Sequence, residues 1–290
     1  MKNRANNSIR VILLIAFLVL FSCATTQQSQ LESRDAEIYN NQGLEYFRQG
    51  QYAQAISEFT KALEINPRYA EAYYNRARAY WRIRQYGQAI SDLNKVLEIN
   101  PRDAEAYYNR GIAYHESGVF IDAINDYSKA LEINPRDAEA CRNRGMAHQR
   151  NGQSDLAISD FNKALDIDPK DSEAYVGRGI VHAGKGQYGQ AILDFNKALV
   201  NNPEYALAYF NRGLANTDEG QYDEAISDFT KFLEIAPNSA EAYYNRAVAY
   251  FLNGEYDKSW FDVIKAKELG YSIPSDFLDD LRKASGGKKL

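Results

Sequence analysis

Apolar residues in this chain fall into short blocks with helical spacing, and the blocks come in pairs. In one pair, Tyr73, Ala77 and Tyr80 form an i, i+4, i+7 stripe, and residues 86–97 hold a second stripe of the same type. A glycine stands between the blocks of most pairs, where a left-handed residue closes a helix, although this pair has Arg84 there. The pattern predicts pairs of amphipathic helices joined by tight turns.

The pairs recur every 34 residues along the 290-residue chain. Six prolines mark this period, and each one ends a second helix or opens the following turn: Pro67, Pro101, Pro135, Pro169, Pro203 and Pro237. Seven units follow the period, numbered here as repeats 1 to 7 from their first residues: Ala36, Ala70, Ala104, Ala138, Ser172, Ala206 and Ala240. Helix N-caps are expected at Asp103, Asp137, Asp171 and Ser239. Neither helix of a unit can bury its stripe alone, so each unit must stack on its neighbours.

The second helix of each unit repeats a small residue followed four positions later by a large one. The small residue is Ala55, Ala89, Ala123, Ala157, Ala191, Ala225 or Ser259, and an aromatic follows at Phe59, Tyr127, Phe161, Phe195 and Phe229. This pattern resembles the tetratricopeptide repeat (TPR) family, with matching residues in repeat 3 at Tyr107, Gly111, Tyr114, Ala123, Tyr127, Ala130 and Pro135. The resemblance covers about residues 36–273. It implies an all-α, right-handed superhelical solenoid of seven helix-turn-helix repeats, with a groove that holds peptides or partner proteins.

The two ends of the chain differ from the repeats. Residues 274–290 begin with Pro274 and a short helical pattern, which predicts a capping helix followed by a frayed tail. Residues 1–22 hold three basic residues and then an apolar run over 11–21, too short to span a bilayer comfortably and typical of a secretory signal. Residues 23–35 are polar and predict a flexible tether.

Cys23 directly follows the apolar run, and Leu20-Phe21-Ser22-Cys23 resembles a bacterial lipobox. The resemblance implies cleavage before Cys23 and lipid on that residue. An uncleaved N-terminal membrane anchor is the alternative. Either interpretation places the repeats in the bacterial cell envelope, and the lipoprotein interpretation favours the periplasmic face of the outer membrane.

Net charge limits the class of partner, and the cysteine positions bear on thiol chemistry. The formal net charge of −5 becomes −8 once residues 1–22, with three basic and no acidic residues, are removed. This balance argues against nucleic acid as a partner. Of the two cysteines, Cys141 takes a position held by tyrosine in other repeats and is predicted to be a small buried residue rather than a reactive thiol.

The sequence offers no catalytic constellation. His148 and His182 take positions that hold tyrosine in other repeats, so we interpret them as packing residues. Cys141 and His148 lie seven residues apart on one helix face, but a closed zinc site needs four ligands and no others are evident. We therefore expect no enzyme activity, no cofactor and no metal site.

Charged residues also recur with the period. The first helix of repeats 2 to 7 carries an arginine, and the second helix of every repeat carries an acid: Arg76, Arg110, Arg144, Arg178, Arg212 and Arg246, and Glu58, Asp92, Asp126, Asp160, Asp194, Asp228 and Asp262. The arginine is missing only in repeat 1, which no unit precedes. That offset suggests pairs between neighbouring repeats, such as Glu58 with Arg76 and Asp126 with Arg144. A solvated charged face is the alternative.

The TPR resemblance implies that the first helix of each repeat lines the groove. An asparagine row occurs there, at Asn41, Asn75, Asn109, Asn143, Asn211 and Asn245. These amides either bind the backbone of an extended peptide or make local hydrogen bonds. Aromatic and heteroaromatic residues flank the row, at Tyr74, Trp81, Tyr108, His115, Phe210, Tyr244 and Phe251. The sequence predicts a non-catalytic scaffold that binds a protein or peptide partner, with a small-ligand or glycan binder as the alternative.

Overall fold

The computed structural model describes residues 34–287, and this part of the chain contains helices and turns but no strand. The first helix, α1, spans residues 34–48. The others are α2 (Tyr52–Ile65), α3 (Ala70–Arg82), α4 (Tyr86–Ile99), α5 (Ala104–Glu116), α6 (Phe120–Ile133), α7 (Ala138–Arg150), α8 (Ser154–Ile167), α9 (Ser172–Gly184), α10 (Tyr188–Asn201), α11 (Ala206–Asp218), α12 (Tyr222–Ile235), α13 (Ala240–Leu252), α14 (Tyr256–Glu268) and α15 (Ser275–Ala284).

The signal segment, Cys23 and most of the tether predicted above lie outside the described residues. Residues 34 and 35, which the sequence placed in the tether, already belong to α1. From residue 34 to residue 287, no helix combines the length and the apolar character needed to cross a membrane.

The chain divides into two compact units. The described part of the first, up to Ile133, holds α1–α6 and therefore repeats 1 to 3, and the second, from Asn134, holds α7–α15. Within each unit, consecutive helices contact each other, both inside a repeat, as α3 with α4, and between repeats, as α4 with α5. The predicted all-α array of helix pairs is confirmed.

Turns and caps form where the sequence placed them. The glycine between paired helices has a positive φ, as at Gly118 with φ 81°. Arg84 adopts the same left-handed conformation with φ 59°, a value otherwise confined to glycine among the described residues. Asp103 caps α5 by accepting a hydrogen bond from the Ala106 amide at 2.9 Å. The other predicted caps bond in the same way, at Asp137, Asp171 and Ser239.

A glycine on the first helix and a ring on the second form the core of most repeats. In repeat 3, a Cβ built on Gly111 would lie 2.8 Å from Cε1 of Tyr127, so the ring fills the space that a methyl group would need. Repeat 2 instead has Ala77 opposite Leu93, both buried. Compared with the glycine and ring of repeats 1 and 3, repeat 2 has a larger residue on its first helix and a smaller one on its second. Within the first unit, only repeat 2 therefore has a core of this different shape.

The repeated arginine and acid do pair, but within one repeat. Arg76 donates through Nε and Nη2 to the Asp92 carboxylate at 2.8 and 2.7 Å, and Arg110 binds Asp126 in the same bidentate way. The predicted pairing between neighbouring repeats is therefore wrong. Glu58, the acid of repeat 1, binds Lys61 at 2.7 Å.

These ion pairs are largely buried, and one arginine nitrogen still reaches the preceding repeat. Arg76 Nη1 donates to Thr60 Oγ1 at 3.0 Å, and Arg110 Nη1 donates to Asn94 Oδ1 at 2.6 Å. Burial raises the pKa of the Asp92 carboxyl although Arg76 opposes this shift. The pairs therefore satisfy buried charges and fix the two helices of a repeat against each other.

Candidate functional site

A pocket opens in the first unit where α1, α3, α4 and α5 meet. The space that it encloses, including its open mouth, is about 580 Å³. Its lining is Phe47, Ala77, Arg78, Trp81, Arg82, Ala89, Leu93, Asn109, Ile112 and Ala113. This set is called the repeat-2 pocket below, because most of its residues belong to repeat 2.

The floor of the repeat-2 pocket is apolar for a reason that lies in the repeat pattern. Leu93 stands where repeats 1 and 3 carry the rings of Phe59 and Tyr127. A leucine reaches less far than a ring, so space remains between the helices that the methyl group of Ala77 only partly fills. Trp81 and Ile112 form the walls above this floor.

Two arginines give the pocket a positive rim. Arg78 and Arg82 lie one turn apart on α3, and both are exposed. The Arg78 guanidinium lies 5.0 Å from the ring centroid of Phe47, and that of Arg82 lies 5.6 Å from the ring of Trp81. In the part of the chain that the structure describes, neither guanidinium forms an ion pair with a carboxylate. Their charges are therefore available to a ligand, and the aromatic rings hold them in place.

Hydrogen bonds fix the polar residues beside the pocket. The Tyr74 hydroxyl donates to Glu105 Oε1 at 2.5 Å and accepts from Asn109 Nδ2 at 2.9 Å. Asn109 Nδ2 also donates to the Glu105 carbonyl at 2.8 Å. Burial, and then the Glu105 carboxylate, raise the pKa of Tyr74, so the hydroxyl stays protonated and keeps its role as donor. These bonds fix the positions of Tyr74 and Asn109. They use the Nδ2 of Asn109 as donor, and the Oδ1 of the same side chain is its hydrogen-bond acceptor.

Other members of the asparagine row also make local hydrogen bonds. Asn75 is buried and donates to Asn40 Oδ1 at 3.1 Å, and Asn211 donates to the carbonyl of Leu207 at 2.8 Å, four residues earlier. Asn41 is exposed. The remaining two members are half-buried: Asn143 and Asn245. Of the two interpretations left open by the sequence, the structure favours local hydrogen bonding for Asn75, Asn109 and Asn211.

The predicted groove aromatics outside the pocket contact other rings. Tyr108 lies 5.9 Å from Tyr127, and His115 lies 5.5 Å from Phe120, measured between ring centroids. In the second unit, Phe210 packs on Phe232 at 5.1 Å. Of the predicted site residues, Trp81 and Asn109 line the repeat-2 pocket, and Tyr74 lies beside it through its hydrogen bond with Asn109.

The last helix covers the aromatics of repeat 7. Phe277 of α15 contacts Tyr244 at 5.6 Å and Phe251 at 5.5 Å between ring centroids. Tyr271, which precedes α15, stacks on Tyr244 at 4.8 Å. The C-terminal segment of the chain therefore covers part of the surface of Tyr244 and Phe251, two of the predicted binding residues.

Sequence reasoning did not single out Phe47, Arg82 or Leu93. The signal for Leu93 was present, since it departs from the aromatic that recurs at its position. Phe47 and Arg82 acquire their role only through the packing of α1 and α3 around the space that Leu93 leaves.

Cysteine and histidine, which often act in catalysis or metal binding in other proteins, have packing roles here at Cys141 and His148. Cys141 is buried, as predicted, and burial raises the pKa of its thiol. His148 Nδ1 lies 2.6 Å from Gln153 Oε1, and its Nε2 lies 3.6 Å from Asp160. Residues 34–287 contain no group of three or more His, Cys, Asp or Glu side chains that could hold a metal ion.

Comparison with known proteins agrees with this architecture. Family models described as TPR repeat or tetratricopeptide repeat match residues 43–83, 85–118, 104–137, 138–171, 176–240 and 229–261. No curated protein sequence matches the chain.

Three solved structures illustrate the similarity. A tetratricopeptide repeat protein from Parabacteroides merdae is 22% identical, with a TM-score of 0.67 over 87% of this chain and 99% of its own. MamA is 29% identical, with a TM-score of 0.54 over 57% of this chain and 96% of its own. YrrB, described as a TPR protein with an unusual peptide-binding site, is 26% identical, with a TM-score of 0.52 over 63% of this chain and 95% of its own. The family models, which match more than half of the chain, establish that it belongs to the tetratricopeptide repeat family.

Proposed function

We propose that this chain is a non-catalytic scaffold that binds a segment of a partner polypeptide in the repeat-2 pocket. TPR proteins mediate protein–protein interactions. The observation that carries the proposal is a concave apolar site whose rim presents two guanidiniums with no carboxylate partner among residues 34–287. Binding sites in proteins commonly combine an apolar floor with a few fixed polar groups, and aromatic anchors dominate their energetics.

The binding mode follows from the walls of the pocket. Trp81 and Phe47 offer flat apolar surface, and the Oδ1 of Asn109 can accept a hydrogen bond from a peptide N–H. The similarity to YrrB, which is described as having a peptide-binding site, supports a peptide as the ligand.

A photoreactive amino acid at position 116, an exposed glutamate one helical turn after Ile112 on α5, tests this function. We expect crosslinks from this position to partner protein in intact cells, and the Trp81→Ala exchange should strongly reduce them because it removes an aromatic anchor. The same photoreactive residue at position 88, an exposed glutamine on α4 outside the pocket, is the matched control. Crosslinks that are equal at both positions, or that do not respond to Trp81→Ala, would contradict binding in the pocket.

The proposed location is the bacterial cell envelope, with lipid on Cys23 and the repeats at the periplasmic face of the outer membrane. Support comes from the basic residues, the apolar run and the cysteine within residues 1–23. The tether then keeps the repeats close to the bilayer surface.

Metabolic labelling with a clickable fatty acid tests the lipid. The unaltered chain should incorporate label, Cys23→Ser should abolish it, and Cys141→Ser should retain it because this second cysteine is buried in the repeats. A Cys23→Ser variant that is still labelled and still processed would show that the lipid proposal is wrong.

A further inference from the structure

We propose that the repeat-2 pocket selects acidic peptide segments that carry one large apolar side chain. The apolar side chain enters the space above Leu93, and a neighbouring carboxylate binds Arg78 and Arg82. This inference rests on the proposed function and adds the chemical class of the partner segment.

Charge favours an acidic partner at this repeat. Residues 70–103 hold six basic and four acidic residues, whereas each of the other six repeats is neutral or acidic and the whole chain has a net charge of −5. Arg76 and Asp92 neutralise each other, which leaves five basic and three acidic residues. The positive charge of repeat 2 therefore concentrates on exposed residues, and two of these, Arg78 and Arg82, stand at the rim of the pocket.

The two guanidiniums suit a carboxylate. They lie one helical turn apart on the same face of α3, and both line the pocket. Guanidinium binds carboxylate through paired, charge-assisted hydrogen bonds, which are stronger than neutral ones. An aspartate or glutamate next to an inserted apolar side chain would satisfy both arginines.

The space above Leu93 fixes the size of the apolar side chain. Repeats 1 and 3 fill the corresponding space with Phe59 and Tyr127, which are buried against glycine. The space left in repeat 2 therefore suits a ring or a long aliphatic side chain, bounded by Phe47, Trp81 and Ile112.

Four labelled synthetic peptides test this selection on the full-length chain by fluorescence polarisation. The host peptide is Gly/Ser-rich with one tryptophan flanked by aspartates. The others replace the aspartates by asparagine or by lysine, or the tryptophan by alanine. We expect the aspartate–tryptophan peptide to bind at least roughly tenfold more tightly than the other three, and its affinity to fall with added salt.

Two variants assign the binding to the pocket. The double exchange Arg78→Gln with Arg82→Gln should remove the preference for aspartate over asparagine. The double exchange Ala77→Gly with Leu93→Phe should fill the pocket, because it installs the glycine and ring of the other repeats, and should abolish binding while the helical circular-dichroism signal remains. Arg68→Gln with Arg102→Gln removes two exposed charges outside the pocket and should leave the aspartate preference in place.

Each contrary outcome has a defined meaning. Equal affinity for the asparagine or lysine peptide overturns the acidic selection, and unchanged affinity in the folded, pocket-filled variant overturns the pocket as the binding site. Failure of all four peptides to bind overturns the inference about the segment. The scaffold function itself is decided separately, by the crosslinks from position 116, which leave Arg78 and Arg82 in place.

Discussion

Exchanging the glycine–ring pair of repeat 3 for the alanine–leucine pair of repeat 2 tests the packing argument behind the pocket. A methyl group on Gly111 would lie 2.8 Å from the Tyr127 ring, well inside the usual contact distance of about 3.5–4.0 Å. We estimate about 1–3 kcal/mol for the resulting strain, offset by about 0.5–1 kcal/mol of helix propensity gained over glycine. Gly111→Ala alone should therefore lower the free energy of unfolding by about 1 kcal/mol.

The second exchange, Tyr127→Leu, removes a ring that is only 1% exposed. Loss of this buried surface should cost about 2–3 kcal/mol, in the range of large-to-small core exchanges. In the double variant, the alanine methyl no longer meets a ring and occupies part of the vacated space, as Ala77 does opposite Leu93. The double variant should therefore be more stable than the sum of the single effects predicts, by about 1–2 kcal/mol.

Urea denaturation of the four chains, followed by circular dichroism and by tryptophan fluorescence, measures this coupling. Agreement between the two probes is required first, because long repeat arrays can depart from two-state unfolding. Gly111→Ala combined with Phe59→Leu, an exchange at the same register two repeats earlier, is the matched control and should be additive. Additivity within about 0.5 kcal/mol for the Gly111 and Tyr127 pair would refute the packing argument.

The remaining predictions concern the turn of repeat 2 and the buried ion pairs. Arg84→Gly should raise the free energy of unfolding by about 0.5–1 kcal/mol, because a left-handed arginine is strained, and Gly118→Arg should lower it by a similar amount in urea denaturation. No difference between the two exchanges would show that the turn conformation carries no strain. Asp126→Ala should lower the free energy of unfolding by about 2–3 kcal/mol, because it leaves Arg110 largely buried without its carboxylate, whereas Glu132→Ala at an exposed pair should change it by less than about 1 kcal/mol. Equal effects of these two exchanges in the same assay would contradict the importance of burial.

Much of the fold could be predicted from the sequence because it depends on local signals. Proline, turn glycine and capping residues act within a few positions of where they stand, so the helix boundaries and the N-cap of Asp103 followed from them. The choice of partner for Arg76 did not follow. This residue stands 16 residues before Asp92 and 18 after Glu58, and both separations recur in every 34-residue period, so the period alone cannot distinguish the two pairings.

The candidate site was harder to predict because similar sequence positions make different contacts in different repeats. Tyr244 and Phe251 resemble Tyr74 and Trp81 in sequence register, yet Phe277 covers the former pair. The asparagine row is uniform in sequence, but the hydrogen bond of Asn109 to Tyr74 is visible only in the structure. The pocket itself arises where repeat 2 departs from the other two repeats of its unit, at Ala77 and Leu93.

The bridging arginines have a consequence for how the array unfolds. In a one-dimensional description, the stability of a repeat protein is the sum of a term for each repeat and a term for each interface between neighbours. The bonds of Arg76 to Asp92 belong to the first kind of term, and its bond to Thr60 belongs to the second. One side chain thus contributes to both terms at once, so losing it weakens a repeat and uncouples that repeat from its neighbour in the same step.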